Sequence, residues 1–238
     1  MTQRISLTLA LLVASGLALP AAGMTLMDQI GPDGSFEEGL SDNTTQISDF
    51  YATAPQFNIA VADDFAVANQ ATLTGVEVAL FASNGVHAFT GLAALRVNLF
   101  DAQPTVANFS SGNLLSIDVP VANIGMTSPW TSSSLTRLAA IDLSGLGLTL
   151  DSGSYWISVV ALNNSYSTDI GLLMSSFAGT PGNDNARQIG SGFWSGVPDR
   201  ALGADAALRV YGNVVPEPSS LLLVGSGLLA LARRRGTR

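Results

Sequence analysis

Few side chains in this sequence could carry acid–base or nucleophilic chemistry. His87 is the only histidine and there is no cysteine, which excludes a thiol nucleophile, a disulfide and a thiolate metal site. A serine-hydrolase triad would need His87, yet no Gly-x-Ser-x-Gly motif stands before a predicted helix. Glycoside hydrolysis needs two facing carboxylates, whereas the adjacent Asp63 and Asp64 would point to opposite faces of a strand. We therefore predict a non-enzymatic protein and keep an extracellular hydrolase as the last alternative.

Acidic residues in irregular segments are the candidates for metal binding. Calcium prefers carboxylate and carbonyl oxygens presented by loops. The candidates in the early part of the chain and at the start of a predicted strand are Asp33, Glu37, Glu38, Asp42, Asp63 and Asp64. No stretch matches the calcium loop D-x-[DN]-x-[DN]-G. A structural calcium ion is therefore a hypothesis, and no other cofactor is expected.

Six aromatic residues could form a platform that stacks against sugar rings: Trp130, Trp156, Trp194, Tyr155, Tyr166 and Tyr211. The preferred candidates are Trp194, Trp130 and Tyr166. Trp194 is the best placed, because glycines flank it in Gly192-Phe193-Trp194-Ser195-Gly196. Aromatic residues of a β-domain more often fill its core, so both interpretations stay open. A carbohydrate-binding module is accordingly the alternative to a matrix protein.

The charge of the body excludes one class of partner. Between residues 24 and 215, five Arg stand against 17 Asp and Glu, a formal charge of −12, and the chain has no Lys. Such an acidic surface repels phosphate backbones. We expect no nucleic-acid binding.

The body alternates apolar and polar residues with period two, which is typical of half-buried strands. Turn signals such as Asn84-Gly85 and Ser152-Gly153 separate the alternating stretches. This pattern predicts an all-β, jelly-roll-like β-sandwich over residues 60–213, preceded by an irregular arm over 24–59. Glu77 is expected to face solvent. The residues expected to face inward are Val76, Val78, Leu80, Val97, Leu99, Ile157 and Val159.

The first 23 residues have the pattern of a signal peptide. Arg4 supplies a positive charge, an apolar run follows, and Ala21-Ala22-Gly23 supplies the small residues that signal peptidase requires. The apolar run covers about 15 residues, short of the ~20 that a permanent membrane span needs. Cleavage near Gly23 would start the mature chain near Met24.

The last 25 residues, 214–238, combine three pieces in order. Val215, Pro216, Glu217 and Pro218 form a stiff marker, because proline cannot continue a strand or enter a helix interior. An apolar helix is predicted over 221–232, and Arg233, Arg234 and Arg235 close it. Adjacent arginines resist translocation. This order predicts a body that crosses the membrane while its tail is held there by the C-terminal helix.

The same three pieces resemble the PEP-CTERM sorting domain, a segment also labelled ice-binding protein C-terminal domain. The resemblance implies a Gram-negative bacterium, an exosortase-type enzyme that cleaves at the marker, a transient membrane anchor, and final placement at the cell surface or outside the cell. It further implies an association with extracellular polysaccharide and biofilm matrix. In the body, stretches such as 61–65, 153–159 and 205–212 resemble the β-sandwich ectodomains of PEP-CTERM proteins, whose function is unassigned.

Overall fold

The computed structural model describes residues 24–30, 40–53, 58–83, 89–128, 135–164, 169–175, 185–190 and 199–215, with the side chains of 40–45 left aside. Two β-sheets face each other in this part of the chain, which confirms the predicted all-β sandwich. The first sheet holds β1 (Met24–Asp28), β2 (Leu40–Ile47), β5 (Ala71–Ala82), β8 (Gly125–Thr127), β9 (Thr136–Asp142), β10 (Thr149–Leu150), β12 (Ile170–Ser175) and β15 (Leu208–Val214). The second holds β3 (Asp49–Tyr51), β4 (Ile59–Val67), β6 (Leu92–Phe100), β7 (Asn113–Pro120), β11 (Gly153–Asn163), β13 (Arg187–Gly190) and β14 (Asp199–Ala201).

Strand order places chain-distant segments side by side. The first sheet runs β1-β15-β5-β12-β2, with β9 and β10 also paired to β5 and β8 paired to β9. The second runs β14-β13-β4-β3-β11-β6-β7. The pairs are antiparallel except β11 with β3. The short 3-10 turns Val121–Asn123 and Ser144–Leu146 join strands at the sheet ends.

The core lies between the sheets and follows the predicted alternation. All seven residues expected to face inward are buried, each with 1% or less of its surface exposed. Leu208 and Val210 of β15 join them from the last strand. Because side chains alternate between the faces of a strand, a period-two pattern was sufficient to identify this layer.

Two smaller apolar clusters cover the outer faces of the sheets. Phe109, from the loop after β6, packs on Phe100 and Phe50 with ring centroids 5.4 and 6.1 Å away. On the other sheet, Ile30 covers Ala79, Leu138, Leu173 and Ala207. These two clusters shield apolar residues on the outer sheet faces from solvent.

Residues 24–59, which we expected to form an irregular arm, instead contribute β1, β2 and β3 in the described part of that range. β1 and β2 lie at opposite ends of the first sheet's strand path. Their polar residues hid the alternation, because an edge strand is paired on one side only and tolerates polar side chains.

Among the described residues, no helix has both the length and the apolar character that a membrane span requires. The helix predicted over 221–232 lies outside these residues.

Candidate functional site

The junction between the body and the predicted sorting signal is the last strand of the first sheet. β15 pairs with β5 from Leu208, opposite Val78, to Val214, opposite Ala71. Beyond the strand, the Val215 amide donates a hydrogen bond to the Gln70 carbonyl at 2.8 Å. The chain is therefore held by the sheet up to the residue before Pro216.

β1 holds the other side of the same strand. Met24 is paired with Gly212, and the Leu26 side chain covers that glycine, since a Cβ at Gly212 would lie 2.7 Å from Leu26 Cδ1. The predicted start of the mature chain thus lies beside the end of the body. Residue 24, where the predicted signal peptide would end, and residue 215, where the marker begins, therefore lie at the same end of the sandwich.

Most residues of the predicted sites lie outside the described ranges. These are Pro216, Glu217, Pro218, Arg233, Arg234 and Arg235 of the sorting signal, Asp33, Glu37 and Glu38 of the metal hypothesis, Trp130, Tyr166 and Trp194 of the stacking hypothesis, and His87. Only Val215, Asp63 and Asp64 are described with their surroundings. The three glycan candidates and the early acidic candidates stay predictions.

Asp63 lies in the interior rather than at an accessible metal site. It is fully buried, and its carboxylate accepts hydrogen bonds from the backbone amides of Ala206 at 2.7 Å and Asp64 at 2.9 Å. Gln29, with its amide nitrogen turned toward them, donates to Asp63 Oδ2 and to the Ala206 carbonyl. Burial raises the pKa of Asp63 to about 8. Since Asp63 belongs to β4 and Ala206 precedes β15, this carboxyl group links the two sheets.

No three Asp, Glu or His side chains come together as metal ligands within the described ranges. Asp63 and Asp64 lie on opposite faces, as expected from strand geometry: one is buried and the other half-buried. The two residues therefore do not form a paired site.

A second carboxyl group, that of Asp49, is also buried, and no sequence pattern indicated it. Its Oδ2 accepts hydrogen bonds from the Ile170 amide at 2.9 Å and from Asn163 Nδ2 at 3.2 Å. Nearby, Tyr51 Oη donates to Asp169 Oδ1 at 2.6 Å. Burial raises the pKa of Asp49 to about 7. The partners are more than 100 residues away in sequence, so no local pattern could have revealed this second link between the sheets.

A charged network covers part of the outer face of the first sheet. Arg209, 5% exposed, donates from Nη1 to Glu77 Oε2 at 2.7 Å and pairs with Asp28 at 3.1 Å. Tyr211 Oη donates to the same Glu77 oxygen at 2.7 Å. Burial and the bond to Glu77 raise the pKa of Tyr211. Glu77, predicted to face solvent, points to the outer face but is 20% exposed because of these partners.

Beside this network lies an open groove of about 340 Å³. Its floor is Gly75, which is paired with Tyr211 on one side and with Asp142 on the other. Glu77 and Ala140 form the next row. Because Gly75 has no side chain, the sheet surface is accessible between the Tyr211 ring and the carboxylates of Glu77 and Asp142. Such a combination can accept hydrogen bonds from hydroxyl groups and stack against an apolar ring face.

Comparison with protein families identifies the C-terminal segment. Residues 214–236 match the family model described as the PEP-CTERM protein-sorting motif. The match begins at Val214, inside β15. A search among curated proteins found no significant match to the chain. The chain thus carries a PEP-CTERM signal, which marks a secreted protein with a transient C-terminal membrane anchor and an exosortase-type processing enzyme as partner.

Proposed function

We propose that this chain is a non-enzymatic protein of the Gram-negative cell surface or extracellular matrix, associated with exopolysaccharide or biofilm. The observation that carries the proposal is the continuity between the sorting motif and the fold. The motif begins at Val214, which is still paired with Ala71 in the sheet. The signal therefore delivers the β-sandwich itself as its cargo.

The roles of the buried carboxyl groups support a structural rather than a catalytic body. Asp49 and Asp63 have raised pKa values, a property that often marks catalytic acids. Both, however, are buried and use their oxygens to accept backbone amides from the facing sheet. A general acid must reach the substrate atom that it protonates, and a general base the proton that it removes, directly or through a water molecule. Inter-sheet support is the role that this geometry favours.

Processing of the exported protein tests the sorting part of the proposal. Glu217→Gln should leave membrane insertion intact and block removal of the tail, because the marker is recognised by an enzyme. Replacing Arg233, Arg234 and Arg235 with Gln should weaken membrane retention. Asp101→Asn, an exposed carboxylate in the body, is the matched control. Mass spectrometry of the exported, matrix-associated form measures the cleavage. An intact C-terminus at Arg238 would contradict it.

A carbohydrate-binding function is the second candidate, favoured by the groove at Gly75. Tyr211 supplies a ring, while Glu77 and Asp142 supply acceptors for sugar hydroxyls. Asp142→Ala should lower binding of the body to polysaccharide in a pull-down or glycan array about tenfold or more, as expected for losing a hydrogen bond to a charged group. Asp101→Ala is the control. Loss of binding in Trp194→Ala but not in Asp142→Ala would place binding at the predicted loop aromatics instead.

A further inference from the structure

The marker for processing follows a strand that is held on both sides. Residues 213 and 214 of β15 pair with Thr72 and Ala71 of β5, and the Val215 amide is bonded to the Gln70 carbonyl. On the other side, β1 pairs with Gly212. An enzyme that binds the marker therefore meets a folded sheet one residue before Pro216.

The predicted tail limits how far the body can move away. Five residues, 216–220, separate Val215 from the apolar stretch that begins at residue 221. Fully extended, they span at most about 18 Å. The processing enzyme must bind the marker between the membrane and the sandwich. An enzyme that holds an extended peptide contacts several residues in a row, and on the N-terminal side of the marker those residues belong to β15.

We propose that the processing enzyme acts on an opened end of the sandwich, in which residues 213–215 have left the sheet. This inference rests on the proposed cleavage at the marker. The packing of β15 limits the opening to its last residues. Residues 213, 214 and 215 are only half-buried, whereas Gly212 is buried beneath Leu26. Releasing the last three residues exposes little apolar surface, and further release would disturb the packing of β1.

The opened end is rare because its hydrogen bonds must be broken. Releasing residues 213–215 gives up the pairing of residues 213 and 214 with β5 and the bond from Val215 to Gln70. At a typical net strength of about 1 kcal/mol for each hydrogen bond, these losses make the opened form about tenfold or more rarer than the closed form. The stability of this end of the sheet therefore sets the rate at which the sorting signal is removed.

A linker insertion in the full-length protein tests the gate. Six Gly-Ser residues inserted between Val214 and Val215 separate the intact marker, Val215 to Pro218, from the sheet, and tail removal in pulse-chase labelling should become about tenfold faster. The same insertion between Ser219 and Ser220 is the matched control, because it lengthens the tether without freeing the marker, and its rate should stay at the wild-type value. Equal rates for wild type and the Val214–Val215 insertion would overturn the inference.

A reversible crosslink tests the same gate in the opposite direction. The chain has no cysteine, and Ala71 and Val214 are direct antiparallel partners. Their Cα separation, about 4.5–5.5 Å for such pairs, suits a disulfide. Oxidised Ala71→Cys/Val214→Cys protein should lose its tail at least tenfold more slowly than the same protein after reduction. Undiminished processing of the oxidised form overturns the gate. Retention of the tail in every form, the linker variant included, overturns the cleavage itself and the gate with it.

Discussion

Replacing Asp49 with asparagine should stabilise the body at neutral pH. In the folded protein, Asp49 Oδ2 accepts hydrogen bonds from the Ile170 amide and the Asn163 side chain, and Oδ1 is buried. An asparagine can keep both bonds with its carbonyl oxygen and place its amide group at the Oδ1 position. Asp49→Asn thus resembles the protonated carboxyl group but cannot ionise.

The magnitude follows from the difference between the two pKa values. Burial raises the pKa of Asp49 from its ordinary 3.8 to about 7 in the folded protein. Because the folded value lies above the unfolded one, the contribution to stability is complete below about pH 4 and is lost as the pH rises to about 7. Each unit corresponds to about 1.4 kcal/mol, so the total loss is on the order of 4 kcal/mol.

Urea unfolding of residues 24–215 between pH 4 and pH 8 measures this effect. The free energy of unfolding should agree for wild type and Asp49→Asn to within about 1 kcal/mol at pH 4. It should favour the variant increasingly up to pH 8. A smaller slope should persist in the variant, because burial also raises the pKa of Asp63, to about 8. Asp101→Asn controls for the loss of one formal charge. Parallel curves for wild type and Asp49→Asn would refute the burial argument.

Three further predictions concern packing, charge and metal. Arg209→Ala should lower the free energy of unfolding by about 2–4 kcal/mol, because it leaves two partly buried carboxylates without their cation. Arg96→Ala, on the exposed face, should lower it by less than about 1 kcal/mol. Similar losses for the two variants would contradict this prediction. Phe109→Ala should lower the free energy of unfolding by about 3 kcal/mol. Val106 is 49% exposed, so Val106→Ala should lower it by less than about 0.5 kcal/mol. An equally small loss for both variants would show that the outer cluster adds no stability. If residues 33–38 bind calcium, chelation should lower the melting temperature of the body and added calcium restore it; a melting temperature indifferent to millimolar calcium would remove that hypothesis.

Much of the core could be predicted from sequence because strand geometry is local. Val76, Val78 and Leu80 alternate with polar or small residues, and a period of two assigns them to one face whatever the strand pairs with. The same rule placed Asp63 and Asp64 on opposite faces. It did not reveal which of the two is buried, because burial depends on Gln29 and Ala206, which lie far away in the chain.

The interactions that link distant segments could not be predicted. Glu77 was expected to face solvent on the evidence of its neighbours alone, yet Arg209, 132 residues later, lies opposite it in the sheet. Asp49 gave no local signal because its partners come from β11 and the start of β12. Likewise, β1 was missed because its strand character depends on pairing with β15 at the far end of the chain.

The sequence by itself determined that the chain carries a sorting signal. A proline-containing marker, an apolar stretch and an arginine cluster are consecutive residues, and such a signal is recognised as a linear segment. Only the tertiary structure decided how the signal is attached. Val214 ends a strand that lies between β1 and β5, and the Val215 amide is still bonded to Gln70, because β-pairing joins residues near both ends of the chain. Pairing between residues so far apart depends on the complete sheet, which no local pattern specifies.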